Sequence, residues 1–112
     1  MDAALDMTFR ALADPTRRAV IQALGRGPAS VSDLAKPFEM ALPSFLQHLK
    51  MLEDSGLVVT RKVGRVRTCT LKPESLAAAE SCLEAQRNLW TKRLDQLDSL
   101  VLDLNKREDE TP

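Results

Sequence analysis

From Glu74 to Thr111 the sequence contains neither proline nor glycine. Within that stretch Trp90, Leu94, Leu97, Val101 and Leu104 are spaced 4, 3, 4, 3, with Leu83 one heptad before Trp90. An apolar stripe of that period is the seam of a coiled coil. A helix over about 74–106 therefore claims the last third of a 112-residue chain. Residues 76–83 are expected to pack on the chain's own core. The stripe beyond residue 90 is expected to meet a partner helix, because a lone domain has little reason to keep it. Burying Trp90 and these leucines contributes about 1.5–3 kcal/mol each. The final K-R-E-D-E-T-P is expected to fray.

What precedes the long helix must supply a core by itself, and the whole reads as one domain. Leu5, Thr8, Phe9 and Leu12 share one helical face, which predicts a helix near 3–13. D-P-T-R then puts Asp14 at an N-cap and Pro15 at the first helical position. Ala19, Val20, Ala23 and Leu24 give that second helix a buried side, and Gly25, Gly27 and Pro28 end it. Ser30-Val31-Ser32-Asp33 reads as a capping box opening a short helix that carries Leu34 and breaks at Lys36-Pro37. After a tight connection comes a helix near 42–55, with Pro43 in its first turn and Asp54-Ser55-Gly56 as its stop. Two helices joined this tightly make a helix-turn-helix.

The period then changes. L-V-V-T-R-K-V-G-R-V-R-T-C-T-L is rich in β-branched residues and interrupted at Gly64, which predicts a two-stranded hairpin over about 57–63 and 66–72. The fold class is mainly α with a small β-hairpin: a winged helix-turn-helix followed by a long C-terminal helix.

Net charge is zero, but its distribution is uneven. Residues 36–72 carry seven basic and three acidic side chains, a balance of +4, and residues 73–112 carry five and nine, a balance of −4. Arg61, Lys62, Arg65, Arg67 and Lys72 fall in 57–72 with no acid among them. Such a strip either attracts an anion or is a solvated hairpin. Aromatics are scarce, at three Phe, one Trp and no Tyr, which argues against a stacking platform for single strands. No apolar run is long enough to span a bilayer, and M-D-A-A-L-D lacks a basic start followed by an apolar stretch, so a cytoplasmic protein is expected. Cys69 and Cys82 make no disulfide framework; the expectation is two reduced thiols that pack as small apolar groups.

The order of elements has a direct physical reading. The second helix of the pair can enter a major groove, while the wing lies along the backbone, where basic side chains meet phosphates. On a wheel centred on Phe45, Leu49 and Leu52 lie close by, with Ala41 and Leu42 at the edges; these are expected in the core. Ser44, Gln47, Lys50, Met51 and Asp54 lie opposite, with Pro43. Gln47 suits a paired contact with adenine, Ser44 is adaptable, and Lys50 suits a phosphate. His48 sits at the flank, where it would bond locally or to a phosphate. The DNA-contacting set is therefore Ser44, Gln47, His48 and Lys50 on the helix, with Arg61, Lys62, Arg65 and Arg67 on the wing.

D-P-T-R-R at 14–18, S-V-S-D-L-A at 30–35, P-S-F-L-Q-H-L-K-M-L-E-D-S-G-L-V at 43–58 and G-R-V-R-T at 64–68 resemble the ArsR family of bacterial winged-helix repressors. The resemblance runs over about residues 5–105. It implies a homodimer that binds a palindromic operator and represses transcription, often of its own operon. It also implies that the first helix, through Leu5 and Phe9, supplies the other half of an interface with Trp90, Leu94, Leu97, Val101 and Leu104. Many members carry polar residues where this chain has Ala41, Leu42 and Leu46, and an arginine where it has Gln47. Base contacts are therefore expected to be sparse, with specificity leaning on DNA shape and the wing.

Metal-sensing members carry a C-x-C in the third helix, or His and acidic ligands in the last. The matching third-helix positions here are Ser30 and Ser32, and the last helix has no histidine. One His and two scattered Cys do not furnish a soft-metal site within a protomer, so no metal and no cofactor are expected. No catalytic residues are assigned, because a nucleophile, a base and an orienting group are not brought together. The alternative to a DNA-binding regulator is a winged-helix interaction module whose basic wing meets an acidic protein.

Overall fold

The computed structural model describes residues 3–110, with side chains described as far as residue 107. The order is α1 (Ala3–Leu12), α2 (Pro15–Leu24), β1 (Ala29–Ser30), α3 (Val31–Ala35), α4 (Leu42–Asp54), β2 (Val58–Val63), β3 (Val66–Leu71) and α5 (Pro73–Glu110). The chain groups into two compact units, residues 1–79 and residues 80–112.

In the first unit each helix starts and stops where its sequence chemistry directs. Asp14 accepts a hydrogen bond from the Arg17 amide at 3.0 Å, capping α2 ahead of Pro15. Ser30 does the same for α3, accepting from the Asp33 amide at 3.1 Å. α4 ends in a Schellman motif: the Leu57 amide donates to the Leu52 carbonyl and the Gly56 amide to that of Glu53. Gly56 has φ +80°, and Leu52 and Leu57, the apolar pair that accompanies this motif, are both fully buried. The chain thus reverses straight from α4 into β2.

The core joins Ala11 of α1, Val20 and Leu24 of α2, Leu34 of α3, Phe45, Leu49 and Leu52 of α4, Leu57, Val58, and Cys69 of β3. The rings of Phe38 and Phe45 stack with centroids 5.6 Å apart. On α1 the fully buried side chains are Thr8 and Ala11, while Leu5, Phe9 and Leu12 are half-buried. Thr8 meets its own hydrogen-bonding need by donating to the Ala4 carbonyl.

Several sequence expectations are corrected. The sheet has three antiparallel strands in the order β1-β3-β2, because Ala29 and Ser30 pair with Cys69 and Thr68. A strand of two residues carries no alternation, and Ser30 doubles as the α3 cap, so this edge is hidden behind a helix signal. Ala41 and Leu42 are exposed rather than in the core, because they stand at the α4 terminus, ahead of the turn that first faces inward. Ala23, placed on the buried side of α2, is likewise exposed. At the other end the helical backbone continues to Glu110, past the expected limit near 106, so the fraying expected from Lys106 onward is not found as far as Glu110; Thr111 and Pro112 lie outside the described residues.

Within α5, Leu76 is half-buried and Ala79 buried in the first unit, as the expectation for this stretch required. Leu83, expected to pack on the core as well, is 58% exposed. In the second unit every described side chain from Glu80 to Arg107 is exposed except Cys82, which is half-buried.

Candidate nucleic-acid interface

α4 is anchored on one side by Phe45, Leu49 and Leu52, so its remaining side faces out. Ser44, Gln47 and Lys50 are exposed there, and none of their side chains has a polar partner among the described residues. Met51, expected on this side, is half-buried. Ala41 offers no side-chain cap; the amides of Ser44 and Phe45 donate instead to its carbonyl, at 3.0 and 3.1 Å.

His48 is placed differently from these. Its Nδ1 lies 3.1 Å from Nη1 of Arg17 and 3.7 Å from Oδ2 of Asp14, so the ring is tied to the start of α2. The local bonding expected of this flank histidine is therefore present. Burial pushes the Asp14 carboxyl up. The Arg17 amide, the His48 ring, the Arg17 charge and the Thr16 amide together outweigh it, and the pKa falls below the ordinary 3.8.

The wing is the hairpin of β2 and β3, paired from Val58↔Leu71 to Val63↔Val66. Its two-residue loop is Gly64-Arg65, with φ +63° at Gly64 and no positive φ at Arg65. That is the glycine placement of a type II′ turn, whose twist suits a hairpin. Arg61, Lys62 and Arg65 are exposed and without polar partners among the described residues. Arg67 is engaged: its Nη2 donates to Thr60 Oγ1 at 3.2 Å and pairs with Glu53 of α4 at 3.4 Å. Ser30, Val31, Ser32, Arg65, Val66 and Arg67 line one shallow groove, so the wing turn lies beside the start of α3.

Sequence reasoning missed the groups that hold these parts together. Arg17 donates to the carbonyls of Ala11 and Arg10, and Arg18 to that of Leu12, so the two arginines of D-P-T-R-R satisfy the open end of α1. The clue was their place just after a predicted helix–helix junction. Nothing local in the sequence pointed to Glu53 as the partner of Arg67, fourteen residues on.

In the second unit, Trp90, Leu94, Leu97, Val101 and Leu104 are 48–59% exposed along one stripe of α5. Arg93 places its guanidinium 5.9 Å from the Trp90 ring centroid. Both cysteines are free; Cys69 is fully buried, and burial pushes its thiol pKa up. Among the described residues no three His, Cys, Asp or Glu side chains gather as a metal site would require, and no helix is long and apolar enough to cross a membrane.

Known proteins share this arrangement. A helix-turn-helix domain family matches residues 12–61. The HTH-type transcriptional regulator Rv2034 of Mycobacterium tuberculosis (strain ATCC 25618 / H37Rv) is 38% identical over 96 residues, covering 86% of this chain and 87% of that protein. The arsenical resistance operon repressor of Escherichia coli (strain K12) is 28% identical over 100 residues, covering 88% and 83%. A crystal structure of an ArsR family transcriptional regulator superposes with a TM-score of 0.75 at 58% identity, covering 79% of this chain and 91% of that one. The helix-turn-helix, its basic wing, the long last helix and these relatives agree: the chain belongs to the ArsR family of winged helix-turn-helix, DNA-binding transcriptional regulators.

Proposed function

We propose that the protein is a homodimeric, cytoplasmic repressor that binds a palindromic operator, of its own or a neighbouring operon. α4 enters the major groove with Ser44 and Gln47 toward the base edges and Lys50 toward phosphate. Arg61, Lys62 and Arg65 of the wing lie along the backbone, with Arg67 steadied by Glu53. His48 contributes from the flank. The dimer forms through the α5 stripe of Trp90, Leu94, Leu97, Val101 and Leu104, with Leu5 and Phe9 of α1 adding to the interface. Regulation rather than catalysis is the activity, and the chain acts as a single DNA-binding domain.

The observation that carries this reading is the pairing of two unpartnered surfaces within one compact unit. Among the described residues, Gln47 and Lys50 on the outer side of α4 have no polar side-chain partner, and neither do Arg61, Lys62 and Arg65 of the wing. Free donors on a helix suit base edges, and free cations suit phosphate. The repressor name of the related Escherichia coli protein supports the sense of regulation.

Selection of bound duplexes from fragments of the source genome tests it. The expected result is a palindrome bound in the nanomolar range at moderate salt, as specific regulators bind their sites. Recovery of no duplex, together with capture of an acidic protein by the wing, would replace this reading with that of a protein-interaction module.

A further inference from the structure

Arg17 stands in the first turn of α2, and its guanidinium is committed on three sides. Nε donates to the Ala11 carbonyl at 2.7 Å and Nη2 to the Arg10 carbonyl at 2.8 Å, both at the end of α1. Nη1 lies 3.1 Å from Nδ1 of His48 on α4. A guanidinium has donors only and stays charged at any accessible pH, so Nδ1 is the acceptor in this contact. A neutral imidazole that accepts at one nitrogen carries its hydrogen on the other. In that tautomer the hydrogen of His48 sits on Nε2.

Nε2 is also the nitrogen left open. Among the described residues, the polar contacts of His48 are those of Nδ1 with Arg17 and with Asp14. On shielded residues such as His48, every buried side-chain nitrogen has a partner, so an unpartnered Nε2 is not a buried one. Nε2 thus meets solvent, as an N–H donor, one residue after Gln47 and one turn after Ser44.

We propose that Arg17 is a positioning residue for DNA binding: it locks the tautomer and orientation of His48, which then presents Nε2–H to a phosphate of the DNA backbone. This rests on the reading of α4 as the recognition helix. A ring already held in its donating form loses little further freedom when the phosphate arrives, and preorganisation of that kind raises affinity. The same arginine ties the ring to the end of α1, so the donor is fixed against two helices besides its own. Because the donor is neutral, its contact adds to affinity without displacing a counterion. It strengthens binding while leaving the salt dependence unchanged, unlike the cations of the wing.

The chain has one histidine, so a long-range 1H–15N spectrum of the full-length protein at neutral pH contains a single imidazole. The expected pattern is the Nε2–H form, giving way to averaged tautomers in Arg17→Met. Binding is measured on the duplex recovered by genomic selection. His48→Asn keeps an acceptor for Arg17 and removes the outward donor; it should weaken binding roughly tenfold at unchanged salt slope. His48→Gln returns a donor near the position of Nε2 and should recover most of that loss. An Nδ1–H ring, or averaged tautomers in the wild-type protein, would overturn the lock whatever the fate of Arg17→Met. A His48→Asn protein that binds as tightly as wild type would overturn the phosphate contact. Absence of duplex binding by the wild-type protein is a different failure, of the recognition-helix reading itself.

Discussion

At the scale of residues, a few positions carry demands that no neighbour can take over. Gly56 sits at φ +80°, where L side chains are strained, and a Cβ there would lie 2.9 Å from Ser75 Oγ. Ser75 in turn donates to the Ser55 carbonyl at 3.3 Å. Gly56→Ala is expected to cost about 1–3 kcal/mol, read as a lower midpoint in urea with an unchanged slope. Asp14 makes a prediction with a definite sign. Its pKa is depressed in the folded protein, so its stabilisation is complete above the unfolded value of 3.8 and is lost as pH falls through the lower folded value. Asp14→Asn should be less stable than wild type near neutral pH, and the difference should shrink in acid below pH 3.8. An unvarying difference across that range would show that the carboxylate charge is not what caps α2. Both positions were legible as caps in the sequence, because Asp-Pro and Ser-Gly are local signals. The Arg17–His48 contact was not, since it joins residues 31 apart and depends on how α2 packs on α4.

At the scale of elements, α4 and the wing divide the proposed work between reading and holding. Phe45, Leu49 and Leu52 commit one side of α4 to the core, which leaves a narrow outer side with Ser44, Gln47 and Lys50. The wing has no such obligation near its tip, where Arg61, Lys62 and Arg65 are all exposed. Arg61→Ala with Arg65→Ala should weaken binding to every duplex and flatten the salt dependence by about one unit of slope for each phosphate released. A slope that stays the same would mean that the wing charges do not reach DNA. The helices and the hairpin follow from period and punctuation, whereas β1 did not. Two residues ahead of a cap give no strand pattern, and only the register with Cys69 and Thr68 reveals the pairing. Arg67 was read from its place in the basic wing as a DNA contact, and its tether to Glu53 depends on tertiary packing that the local sequence cannot convey.

At the scale of the whole molecule, the stripe of α5 is the clearest unfinished surface. Its five large apolar side chains are legible as a heptad seam in the sequence itself, and in the single chain each remains about half exposed or more. An apolar row of this length favours a partner, and a C2 pair would also supply the symmetry that a palindromic operator matches. Leu97→Asp with Val101→Asp is expected to shift the protein to monomer in sedimentation and to weaken operator binding, with the first unit still folded. In the proposed dimer, α4 of each protomer reads one half of a two-fold site, and footprinting on the genome-selected duplex checks this. Two protected segments are expected, centred about one helical turn, or a whole multiple of it, apart, with base preference inside them altered by Gln47→Ala. A single unpaired protected segment, or two segments whose base preference is untouched by Gln47→Ala, would contradict it.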